Sequence, residues 1–299
     1  MTTPTERSSL AYRDLETLSA GGMLTAMLEG QEAALSAVRA ALPALDRAVE
    51  AAAARLADPQ SRLVYVGAGT SGRIAMLDGI ELYPTFGWPE ERSAFLLAGG
   101  EASMAEARES AEDDEDAGRA AIAGLDCRAG DVVVGLAASG STPYTLAAID
   151  EARGRGALTI GLANNPGAAL LDRAEIGVLL ETGPEVLAGS TRMAAGTSQK
   201  IAMNLFSTAI MMRLGRVYRG LMVDMIPSNQ KLKRRAIAML MQVADCGEEA
   251  ALDALGKTGF HVKPAVLVVR GLSPEDAMAA LDRNGGDLHR AFAELDNNG

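Results

Sequence analysis

The 299-residue chain is poor in aromatic residues, histidine and cysteine. Phe, Trp and Tyr together make up 4%, which excludes an extended stacking platform for sugars or bases. The 2 histidines, His261 and His289, both lie near the C-terminal end. Acid–base chemistry elsewhere in the chain therefore falls to carboxylates. The 2 cysteines, Cys127 and Cys246, are far apart and show neither metal-ligand spacing nor a disulfide framework. They read as small buried or half-buried thiols. A strong positive charge is also missing. The net charge of -11 leaves no basic field for nucleic acid or an anionic membrane, so neither is an expected partner. An anionic small substrate would need a locally focused site instead. No apolar run approaches the length of a membrane span, and Met1 to Ser9 lacks the apolar core of a secretion signal. A cytoplasmic location is expected.

What is present is a βαβ rhythm. Apolar runs at 63–66, 94–98, 131–136, 157–162 and 175–180 are rich in Val, Ile and Leu and do not alternate with polar residues. Strands buried on both faces of a parallel sheet read this way. Helical patterns near 71–83, 102–123, 141–153, 167–173 and 192–213 separate or follow them. The expected fold is α/β, a doubly wound parallel sheet in three layers, with ligands beyond the C-terminal strand ends. Residues 1–20 look loosely structured, and 23–57 read as helix interrupted by Gly30 and Pro43. Beyond about residue 230 a small helical subdomain is expected, with Asp245, Ser273 and Asp287 at helix starts. Ala265 to Val269 reads equally as a strand or as the core of a helix. The expected divisions are 1–58 (a helical segment packed on the sheet domain), 59–230 (the sheet domain) and 231–299.

Residues 63–73 carry the strongest local signal. The strand pattern Leu63-Val64-Tyr65-Val66 runs into Gly67-Ala68-Gly69-Thr70-Ser71-Gly72-Arg73 and then into a helix. Such a turn aims backbone N–H groups and hydroxyls at one spot, which suits an anion. Gly67, Gly69 and Gly72 also spell the dinucleotide fingerprint G-x-G-x-x-G. That reading wants an acidic residue at the end of the second strand, where Leu96-Leu97-Ala98-Gly99-Gly100 stands with Glu101 one step late. Thr70, Ser71 and Arg73 add phosphate ligands that a dinucleotide turn does not need. A second turn, Ala137-Ala138-Ser139-Gly140-Ser141-Thr142, precedes Pro143, a residue well tolerated at a helix start. Two hydroxyl-rich turns after two parallel strands can converge on one phosphate. A tight ligand-free Gly turn explains one such motif well and two poorly. Further candidates are Gly189-Ser190-Thr191-Arg192 and Asn164-Asn165-Pro166-Gly167.

Asp78 and Glu81 stand at i,i+3 and so share a helix face. Pro84 forces that helix to end near Glu81. The acidic run from Glu109 to Asp116 reads, taken alone, as a solvated face. If a phosphosugar is transformed, one carboxyl would be kept neutral by burial and a second would stay ionised.

These motifs together resemble the N-acetylmuramic acid 6-phosphate etherase family. They are Gly67 to Arg73, Glu81 with Pro84-Thr85-Phe86-Gly87, Glu109 to Asp114, Ala137 to Tyr144, Gly183 to Leu187, Gly189 to Arg192, Ala195 to Lys200 and Leu221 to Asp224. Thr5-Glu6-Arg7 and Asp282 to Gly286 also fit, so the resemblance spans nearly the whole chain. It implies a sugar isomerase (SIS) fold, a homodimer, no cofactor and no metal. It also implies cleavage of the D-lactyl ether at C3 of a phosphosugar by elimination and then hydration. By motif, Glu81 matches the proton donor and Glu112 the second catalytic carboxylate, which would act as the C2 base. Phosphate and substrate binding would involve Gly69, Thr70, Ser71, Arg73, Ser139, Gly140, Ser141, Thr142, Ser190, Arg192 and Lys200. Two positions depart from the family pattern. Ser141 stands where an arginine is usual, and Ala194 where a lysine is usual. Both changes remove positive charge facing a doubly anionic substrate. The alternatives are an aldose–ketose isomerase on the same fold and a non-enzymatic sugar-phosphate regulator. A regulator would have no use for the two glutamates.

Overall fold

The computed structural model describes residues 3–106 and 109–298. Its sheet comprises β1 (Leu63–Gly67), β2 (Ser93–Leu97), β3 (Val132–Leu136), β4 (Leu158–Ala163) and β5 (Ile176–Leu179). The strand order is β2-β1-β3-β4-β5, and every pairing is parallel. The fold is therefore the expected doubly wound one. β1, β3 and β4 are buried along their whole length, which is why their sequences carry no polar alternation. The chain runs outward in opposite directions from β1 and β3, so the topological switch point falls between those two strands. Gly67 is in register with Leu136, and the turns that leave β1 and β3 emerge level at one end of the sheet.

The helices are α1 (Ala20–Leu56), α2 (Gly69–Ile80), α3 (Leu82–Phe86), α4 (Glu115–Gly124), α5 (Pro143–Gly154), α6 (Ala169–Arg173), α7 (Ala194–Arg213), α8 (Gln230–Ala244), α9 (Glu248–Lys257), α10 (Val262–Val269), α11 (Pro274–Arg283) and α12 (Leu288–Asn298). The chain divides into two compact units. One comprises Met1–Gly79 with Glu91–Ser207, and the other Ile80–Glu90 with Thr208–Gly299. Among the described residues no helix is long and apolar enough to cross a membrane.

Several sequence expectations need correction. The helix at 23–57 is not interrupted: α1 is continuous over 37 residues with Pro43 inside it. The Pro43 carbonyl is bonded by Arg47 Nη1 at 3.1 Å. Gly30 serves close packing, since a Cβ there would lie 2.3 Å from Val186 Cγ2. The helical pattern expected over 102–123 lies partly outside the described residues, at 107–108; its described part consists of the 3-10 turns Glu101–Met104 and Glu109–Asp113 followed by α4. Asp114 caps α4 by accepting from Ala117 N at 2.8 Å, which fixes the start at 115. Residues 1–20 are not loose throughout. Thr5 is buried, and its N–H and hydroxyl both engage Asn165. Asp245 ends α8 in a left-handed conformation (φ 50°) instead of starting a helix. Ser273 and Asp287 do stand at helix starts, each accepting backbone N–H bonds. The ambiguous run Ala265 to Val269 lies inside α10.

The candidate active-site cleft

The first turn leaves β1 and enters α2 almost at once. Gly69 has φ 51°, which an L side chain rarely adopts. A Cβ on Gly67 would sit 2.7 Å from Gly72 Cα, so the first turn of α2 lies directly on the strand end. The G-x-G-x-x-G spacing thus reports close strand–helix packing, a need that a phosphate cradle shares with a dinucleotide site. Glu101 is exposed at the start of a 3-10 turn, and β2 ends in apolar Leu97 and Ala98. The second turn leaves β3. Gly140 has φ 67°, and a Cβ there would come within 2.4 Å of Ala168 Cβ. Ser139 Oγ accepts from Ser141 N at 3.2 Å. Thr142 flanks α5 without bonding to its helix through the side chain, so its hydroxyl is not consumed by capping.

These two turns line one cleft of about 760 Å³, a size that suits a small metabolite. Of the sequence-predicted residues, Gly69, Thr70, Ser71, Arg73, Ser139, Ser141, Thr142 and Glu112 line it. Gly140 is buried and shapes the turn. The third turn contributes Gly189 and Thr191 to the wall, with Ser190 between them. Arg192 is exposed and Lys200 half-buried on α7, and neither lines the cleft. Asn164 and Asn165 are buried structural groups. Asn164 bonds Leu180 O and Ser198, and Asn165 bonds Thr5 and Ala138 O.

Arg73 lines the cleft, yet its guanidinium already donates to Ser103 O and Glu106 O, both at 2.9 Å. It therefore pins the 101–106 segment that forms one wall. Among the described lining residues Arg73 is the one cation, and Glu6, Glu112 and Asp113 are the carboxylates. With a serine at 141, an anion here would be held by N–H groups, hydroxyls and the positive end of α2 rather than by a cluster of side-chain cations. Sequence reasoning missed Glu6, Ser103 and Asp113 as lining residues. Ser103 Oγ is buried and has no hydrogen-bond partner among the described residues.

Two buried carboxylates frame α7. Glu185 accepts from Ala194 N and Ala195 N, both at 2.9 Å, so Ala194 stands at a capped helix start and is itself buried. Burial pushes the Glu185 carboxyl above its ordinary value, against those two donors. Asp78 accepts from Asn204 Nδ2 at 2.7 Å. Burial raises its carboxyl as well, opposed by a hydrogen bond with Ser207 and the charge of Lys200. The shared face expected for Asp78 and Glu81 does not give them similar surroundings. Asp78 is buried, whereas Glu81 is exposed at the turn between α2 and α3. Glu112, half-buried on the 3-10 turn Glu109–Asp113, is the predicted carboxylate that lies in the cleft. Cys127 is buried, and desolvation pushes its thiol up to about 11, as suits an unreactive core group. No group of His, Cys, Asp and Glu that could hold a metal occurs among the described residues.

A parallel sheet whose switch-point turns line a hydroxyl-rich cleft defines a SIS-type protein. Residues 115–209 match a family model described as the SIS domain, and residues 44–153 match the glucokinase regulatory protein N-terminal SIS domain. The chain is 46% identical over 297 residues to the N-acetylmuramic acid 6-phosphate etherase of Deinococcus radiodurans, covering 98% of this chain and 97% of that one. It is 42% identical to the etherase of Halalkalibacterium halodurans, covering 97% of this chain and 98% of that one. The chain belongs to the N-acetylmuramic acid 6-phosphate etherase family.

Proposed function

We propose that the chain cleaves the D-lactyl ether of N-acetylmuramic acid 6-phosphate, giving N-acetylglucosamine 6-phosphate and D-lactate as part of cell-wall sugar recycling. The observation that carries this reading is one cleft holding two hydroxyl-rich anion turns together with the Glu112 carboxylate. In the proposed reaction the phosphate is held by Ser71, Ser139 and neighbouring N–H and hydroxyl groups. The open-chain aldehyde acidifies the C2 proton, which Glu112 removes. The C2–H electron pair is first held as the enolate of that aldehyde and becomes the C2=C3 double bond when the C3–O bond then breaks. Glu81 gives its proton to the departing lactyl oxygen, because an alkoxide is a poor leaving group without one. Water then adds, with hydroxide to C3 and a proton to C2, so the sequence neither consumes nor produces electrons. A regulator that only binds a phosphosugar has no need of a carboxylate in the cleft.

The assay is direct. Purified protein given N-acetylmuramic acid 6-phosphate is expected to release D-lactate. Binding of the phosphosugar without lactate release would leave a binder in place of an enzyme.

The active species is proposed to be a homodimer. Leu24, Leu28, Leu35 and Leu42 on α1 are 65%, 70%, 61% and 48% exposed. Their spacing of four and seven lines them along one face, as a helix–helix seam requires. A doubly charged phosphosugar does not cross a bilayer unaided, which supports a cytoplasmic site of action.

A further inference from the structure

The short segment Ile80–Glu90, which holds Glu81, belongs to the helical unit, and a largely buried charge cluster grips it there. α3 has only 5 residues, too few to hold itself together. Its C-terminal carbonyls need outside donors. Arg216 supplies them, with Nη1 at 2.8 Å from Phe86 O and 2.9 Å from Gly87 O. The same guanidinium lies 5.3 Å from the ring centroid of the fully buried Trp88. Asp224 Oδ2 lies 3.8 Å from the same Nη1 and is also paired with Lys263 of α10. A second strut is backbone: Ile226 N donates to Pro84 O at 3.4 Å. Gly87 has φ 59°, and a Cβ there would lie 2.5 Å from Asp224 O, so the joint closes only around a glycine.

We infer that Arg216, backed by Asp224 and Lys263, is a positioning residue for the proposed acid Glu81, and that the helical unit exists in part to carry that acid. The inference rests on the etherase reading. Burial acts against all three charges, lowering Arg216 and Lys263 and raising Asp224, so the cluster stands on its mutual pairing. Without Arg216, two carbonyls lose their donor, Asp224 loses a partner, and the segment that begins at Glu81 loses its fixed course.

The test compares Arg216→Met and Arg216→Lys with the wild type in three readouts: D-lactate release, exchange of the C2 proton for solvent deuterium, and the rise in Tm with N-acetylglucosamine 6-phosphate. Misplacing a catalytic group by about 1 Å costs on the order of 100-fold. Arg216→Met is therefore expected to lower kcat for lactate about 100-fold. KM, C2 exchange and the phosphosugar-induced Tm shift should stay near wild type. Arg216→Lys, which keeps one donor, is expected to recover part of the loss. If Arg216→Met does not fold, Gly87→Ala disturbs the same joint from the Asp224 side and should give the same split. Lactate release close to wild type in a folded variant overturns the inference. So does a parallel fall of lactate release and C2 exchange, since that reports general damage. A wild type that releases no lactate refutes the etherase reading instead.

Discussion

In the sheet unit, the buried carboxylates of Asp131 and Glu185 are answered by backbone N–H groups, while Asp78 is held by the side chains of Asn204 and Ser207. Asp131 accepts from Arg62 N at 2.9 Å and Arg128 N at 3.1 Å, besides the Arg62 guanidinium. Glu185 accepts from two successive N–H groups at the start of α7. In the helical unit, Asp224 is answered by two side-chain cations, Lys263 and Arg216. Backbone donors fixed by secondary structure leave little freedom, which suits a preformed cleft. A cluster of side chains can be loosened one residue at a time. On the proposed reading, the contrast separates two tasks, holding the phosphosugar and protonating the leaving group, and the variants below disturb one without the other.

The largest expected effect is on the proposed acid. Glu81→Gln should lower lactate release about 1,000-fold, within the usual range for a lost general acid. C2 proton exchange should persist, and exchange lost together with lactate release would erase the contrast between the units. Glu112→Gln should abolish both activities by a similar factor of about 1,000, as measured by the same deuterium exchange. Next is the sheet unit's own framework. Asp131→Asn breaks a buried ion pair and should cost about 3 kcal/mol by denaturant unfolding. Desolvation acts to raise the Asp131 carboxyl, but the Arg62 and Arg128 donors outweigh it and hold it below its ordinary 3.8. Its stabilisation is therefore present above 3.8 and lost as pH falls through the lower folded value. The gap in Tm between wild type and Asp131→Asn should shrink in strong acid, and a gap that widens there would contradict this. The smallest effect is expected at Ser139→Ala, which removes one hydroxyl from the cradle. KM should rise about 10-fold, the worth of one hydrogen bond to a charged group, with kcat little changed.

The sheet was legible because β1, β3 and β4 are buried on both faces and their apolar runs stop at Gly/Ser turns. The meeting of the two hydroxyl-rich turns in one cleft was legible for the same reason, since strand register carries both to one end of the sheet. What stayed hidden depends on contacts distant in sequence. Thr5 and Asn165 meet across 160 positions, so the 1–20 segment read as loose although Glu6 lines the cleft. Arg216 meets Phe86 across 130, and no local pattern marks it as a clamp. Pro43 misled in the other direction. Its missing N–H predicts a break in α1, but burial of Ala37, Ala41, Leu45 and Ala48 carries the helix through. The surroundings of the proposed acid also escaped expectation. Burial was expected for the carboxyl that donates, yet Asp78 is the buried one and Glu81 is exposed.

The most direct test of the central claim follows N-acetylmuramic acid 6-phosphate by NMR in D2O with the wild-type protein. Equal amounts of D-lactate and N-acetylglucosamine 6-phosphate are expected, the latter carrying deuterium at C2. Lactate released with the C2 proton retained would contradict elimination and hydration, and no lactate at all would contradict the enzyme.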